Sequence, residues 1–100
     1  MLHGSEQSTK IAKDAAQQLE AHTSKEWKVV GNSFSQITLM NGNVYVDHLI
    51  STGAWRAGIQ DFWIEDLAGE YLSSPIEAYD SLKVAVKEHL KELQEVSDSL

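Results

Sequence analysis

A chain of 100 residues without cysteine makes one domain with a single modest core, and excludes disulfides, thiolate zinc sites and cysteine nucleophiles. No apolar run approaches the ~20 residues of a membrane span, and the opening MLHGSEQSTK lacks an apolar signal region, so a cytoplasmic protein with a disordered start over residues 1–7 is expected. The net charge of −7 disfavours direct contact with nucleic acid, which needs a basic face.

The first element is a helix from about Ser8 to His22, with Ser5 and Ser8 as rival N-caps. Ile11, Ala12, Ala15, Ala16 and Leu19 recur at helical spacing on one narrow face. Their small size suggests close packing onto a sheet. Trp27–Val30 reads as a strand, punctuated by Gly31-Asn32-Ser33. Ile37–Met40, Asn41-Gly42 and Asn43–Val46 read as a β-hairpin with a type I′ turn, because Asn-Gly accepts positive φ at both central positions.

Trp55–Glu65 forms one long strand, or two pieces bent at Gly58. A turn over Asp66–Gly69 leads to a last short strand, Glu70–Ser73. The final helix has two competing starts. Ser74-Pro75-Ile76-Glu77 has the form of a capping box with proline at its first position, whereas Asp80 offers a cap for a start at Ser81. The later start is favoured, with Tyr79 stapling onto Val84. Beyond it Leu82, Val86, Leu90, Leu93 and Val96 make an apolar stripe flanked by lysines and glutamates. The expected fold is one α+β domain over residues 1–100, a two-layer α-β-β-β-β-α sandwich. An N-terminal and a C-terminal helix flank an antiparallel sheet of three to four strands and leave one sheet face open.

Catalytic signals are weak. Asp47 and His48 are neighbours, but along a strand they point to opposite faces. His89 lies beside the stripe of the last helix, where a hydrogen-bonded core-edge residue is expected. No serine sits in a G-x-S-x-G elbow, and no glycine-rich phosphate cradle is present. Asp61, Glu65 and Asp66 are the densest acidic group, yet they lack the spacing of a calcium loop. No enzyme, metal or cofactor is therefore expected. The order α-β-β-β-α is similar to that of double-stranded RNA-binding domains. Those carry lysines at the start of the last helix, where this chain has Asp80 and then Lys83.

Charge placement says more than net charge. Residues 41–80 hold seven acids (Asp47, Asp61, Glu65, Asp66, Glu70, Glu77, Asp80) against Arg56 alone, a field that attracts basic partners. In QDFWIED, alternation sends Phe62 and Ile64 one way and Asp61, Trp63 and Glu65 the other. The acids resist burial, so Trp63 belongs on the open face. The same argument places Tyr45 and Asp47 outward, with Tyr71 beside them. Tyr45, Asp47, Asp61, Trp63, Glu65, Asp66 and Tyr71 are thus the candidate binding residues. Tyrosine and tryptophan anchor interfaces, and acids around them select a basic protein. The bland alternative is that these side chains only cover the sheet and keep the protein in solution.

The strand run Trp55–Leu72 and the helix entry Y79-D-S-L-K-V-A-V-K-E-H-L90 give a layout that resembles small proteins of phages and mobile elements, including some anti-CRISPR proteins. That resemblance implies an inhibitor or accessory protein. It would act by steric blocking, or by carboxylates that imitate phosphates on a basic, nucleic-acid-handling partner. A second class is a homo-oligomeric structural protein. Leu82, Val86, His89, Leu93, Val96 and Leu100 keep near-heptad spacing suited to a dimer seam.

Overall fold

A computed structural model of the chain describes residues 6–60 and 67–100. The elements are α1 (Glu6–Thr23), β1 (Lys28–Asn32), β2 (Gln36–Asn41), β3 (Val44–Leu49), β4 (Ala54–Ile59), β5 (Leu67–Ala68) and α2 (Pro75–Ser99). The strands form one five-stranded sheet in chain order, and every neighbouring pair is antiparallel. The helices share one face, α1 over β1 and β2, α2 over β3 to β5. This is the expected α+β layout with one strand more. Glu6 and Gln7, assigned by the sequence to a disordered start, already belong to α1.

Strand period 2 decides which side chains reach the helices. Leu39 pairs with Val46, and Val46 with Ala57, so these three make one row on the helix face. Ile37 and Trp55 flank them through His48. Onto this surface α1 lays Ala12, Ala15 and Leu19, and α2 lays Ala78 and Leu82. The alanines let α1 approach closely, as their size suggested. Leu19, Ile37, Leu39 and Val46 are fully buried, each contributing about 1.5–3 kcal/mol relative to exposure. Trp27 closes one end of this core. Its indole N–H donates to Thr23 Oγ1 at 2.9 Å, and that hydroxyl donates to the Leu19 carbonyl at 2.7 Å.

Several boundaries differ from the sequence reading. Ser8 does not cap α1. It is buried within the helix and donates to Asn32 Oδ1 at 3.1 Å, tying α1 to β1. The Ile37–Val46 hairpin is present, but its two-residue loop is Gly42-Asn43, since Asn41 still pairs with Val44. Only Gly42 of the two has positive φ, at 60°. That is the pattern of a type II′ turn, not I′. β4 ends at Ile59, which pairs with Leu67. The expected turn at Asp66–Gly69 therefore contains β5, while the expected strand Glu70–Ser73 shrinks to a single bridge between Trp55 and Leu72.

The last helix starts at Pro75, not at Ser81. Ser74 Oγ accepts the Glu77 backbone N–H at 3.1 Å, the Glu77 carboxylate accepts from Ser73 Oγ at 3.1 Å, and Pro75 has no N–H to satisfy. Asp80 is drawn elsewhere. It accepts from His22 of α1 at 2.9 Å, while Tyr79 packs edge-on against Trp27 at 5.9 Å.

Candidate functional site: the open face of the sheet

The face away from the helices is built from alternate residues of three central strands. Met40, Tyr45 and Gly58 form one cross-strand row, and Thr38, Asp47 and Arg56 the next. With Gln36 and Gln60 they surround a hollow of about 250 Å³. Tyr45 and Asp47 therefore share this face, as alternation required.

Tyr45 is nevertheless only 6% exposed. Its ring lies across Gly58, where a Cβ would collide with the phenol. A glycine inside a strand leaves its neighbours without a side chain to pack on, and an aromatic ring from the next strand fills that place. Gly58 thus marks a close approach, and β4 carries it within its regular pairing.

Asp47 Oδ1 accepts from Thr38 Oγ1 at 2.8 Å. Arg56 stands opposite Asp47 in the ladder. Its guanidinium lies over the Tyr71 ring, 4.7 Å from the centroid, a cation–π contact worth ~0.5–1 kcal/mol at a partly exposed site. Arg56 Nε is buried and has no hydrogen-bond partner among the described residues. Tyr71 is 47% exposed, far more accessible than Tyr45.

Three expected site residues thus come together around Arg56: Tyr45, Asp47 and Tyr71. Asp61, Trp63, Glu65 and Asp66 lie outside the described residues. Asp47 is the acid of the described strands, and Lys28 and Arg56 are their bases. Glu77 and Asp80 belong to α2, on the other side of the sheet. The acidity of residues 41–80 is therefore divided between both sides of the molecule. Sequence reasoning missed Arg56, Thr38 and Met40 as site residues. A signal existed for Arg56, because one cation among seven acids is placed where a carboxylate or a ring faces it.

His48 points to the helix side, opposite Asp47 as expected. It is 6% exposed and stacks on Trp55, with centroids 4.0 Å apart. Burial holds its pKa below the ordinary histidine value, and the Ala54 backbone works weakly in the opposite direction. His48 Nδ1 has no hydrogen-bond partner among the described residues. No group of three or more metal-ligating side chains occurs among the described residues, and none of their helices is long and apolar enough to cross a membrane. No family model matches the chain, and neither a curated protein nor a solved structure matches it.

Proposed function

We propose that this chain is a non-catalytic protein-binding module that docks through the open face of its sheet. The observation that carries this reading is a sheet face that no described helix covers. Both helices sit on the other side, and the open side gathers Tyr45, Asp47 and Arg56 around a hollow, with the Tyr71 ring against Arg56. Tyrosine and arginine are enriched where interfaces concentrate their binding energy. The finer proposal is an inhibitor or accessory protein, of the phage or mobile-element kind, acting on a basic nucleic-acid-handling partner. It rests on the charge of residues 41–80, including Asp61, Glu65 and Asp66.

Two variants test the two levels. Tyr71→Ala removes an exposed ring without touching the core, and Asp61→Lys/Glu65→Lys/Asp66→Lys reverses the acidic group. Affinity capture from cell lysate with wild type and each variant reads the partner directly. The expected result is a basic protein retained by wild type and lost by both variants. A partner retained equally by the triple variant removes the acidic reading, and one retained by both removes the face.

A further inference from the structure

From Leu90 onward α2 has no packing partner among the described residues. The helix has 25 residues, about 37 Å at 1.5 Å per residue, in a molecule measuring 54 × 27 × 22 Å. Its first half is seated: Ala78 and Leu82 are buried, and Val86 packs against the core. Every residue from Leu90 onward is exposed, including Leu90 at 59%, Leu93 at 50% and Val96 at 55%. With Leu100 these continue the stripe of Leu82 and Val86.

Where the seated half ends, a second feature appears. An apolar hollow of about 260 Å³ opens between α2 and the sheet, lined by Val44, Ile59, Leu82 and Val86 with Lys83 and Lys87 beside them. One helix thus carries an exposed apolar ridge at one end and an apolar hollow flanked by lysines at the other.

The charges are arranged in the same sense. Residues 82–91 hold Lys83, Lys87 and Lys91 against Glu88 alone, and residues 92–100 hold Glu92, Glu95 and Asp98 with no base. Parallel pairing of two such helices sets like charges together. Antiparallel pairing sets the basic half against the acidic half.

We propose that the C-terminal half of α2 pairs antiparallel with the same segment of a second copy of this chain. A two-fold axis level with Lys91 places Val86 against Val96 of the second copy, and the hollow beside Leu82 against Leu100 of the second copy. Leu90 and Leu93 lie near the axis and cover each other. The contact is isologous, so ridge and hollow are both filled twice and the assembly closes at two. It lies on the helix layer, away from the open sheet face, and does not depend on the function proposed for that face.

The test is sedimentation equilibrium of the full chain from about 5 to 500 µM, a range in which a weak self-association shows as a concentration-dependent mass. Wild type is expected to pass from monomer to dimer. Leu93→Glu raises the Kd at least about tenfold, with the thermal melt of the dilute monomer unchanged because Leu93 is exposed. The chain has no cysteine of its own, so single cysteines read the register: Leu90→Cys, near the axis, is expected to cross-link two copies on oxidation, and Leu100→Cys, far from it, is not. Tyr71→Ala, on the sheet face, leaves the Kd unchanged. A wild type that stays monomeric over the whole range overturns the proposal, as does a dimer insensitive to Leu93→Glu. Cross-linking of two copies through Leu100→Cys overturns the antiparallel register.

Discussion

The two faces of this sheet come from the same strands and are held by different forces. On the helix side, Leu39, Val46 and Ala57 meet side chains brought from both helices, and the row is closed by long-range burial. On the open side, three local pairs do the work within the sheet: Tyr45 on Gly58, Thr38 to Asp47, and Arg56 on Tyr71. An aromatic residue on an uncovered face is therefore not by that fact free to bind. Tyr45 already serves as the lid of a glycine, while Tyr71 keeps nearly half its surface for a partner.

Substitutions on either side break the comparison in different amounts. Leu39→Ala empties a fully buried site and is expected to cost about 3 kcal/mol in urea unfolding, since the surrounding strands collapse only partly onto the cavity. Gly58→Val drives a side chain into the Tyr45 ring and should cost about 2 kcal/mol. The double variant Gly58→Val/Tyr45→Ala should recover part of that loss, because the ring is the obstacle. If the double variant is instead less stable than the sum of the singles, the open face is held by something other than this pair. Tyr71→Ala should change stability by less than about 0.5 kcal/mol while removing the binding tested above, which separates Tyr71 from Tyr45 in role.

The features that were legible in the sequence are those whose cause is local or periodic. Ile11, Ala12, Ala15, Ala16 and Leu19 recur at helical spacing, and Ala12, Ala15 and Leu19 are the ones α1 buries against the sheet. Asp47 and His48 were separable by strand alternation. What was not legible depends on register and on contacts between distant segments. The exposure of Tyr45 follows from Gly58 lying opposite it, which no pattern within β3 announces. A one-residue slip in the turn, from Asn41-Gly42 to Gly42-Asn43, changes the turn type and is decided by the ladder as a whole.

The start of α2 is the sharpest instance. Ser74 and Asp80 are both good caps, and their local signals do not rank them. The choice is made by α1, whose His22 takes up Asp80, and by Trp27, which takes up Tyr79. Ser74→Ala should therefore lower stability by about 1 kcal/mol and fray the segment up to Asp80, seen as faster amide exchange at Ala78, whose N–H bonds to the Ser74 carbonyl at 3.0 Å. An unchanged exchange rate would mean that tertiary contacts alone hold this turn.

The smallest expected effect is a slope rather than a step, and it comes from the helix face. Burial disfavours the charged form of His48, so its folded pKa lies below the ordinary value. In the unfolded chain the imidazole takes a proton near pH 6.5. Between that value and the lower folded one, the unfolded state binds more protons than the folded state, so stability falls as pH falls. The contribution is fully present above about pH 6.5 and stops changing once folded His48 also becomes charged. Asp80 acts in the same direction but further down. The hydrogen bond from His22, opposed by slight desolvation, holds its carboxyl below the ordinary carboxylate value, so its loss belongs to the carboxylate range. His48→Phe keeps a ring to stack on Trp55 and removes the titrating group. Urea midpoints measured across pH 5 to 7 should slope in wild type and flatten in His48→Phe. An equal slope in both would place the titration on another histidine and leave the buried row on the helix face indifferent to pH.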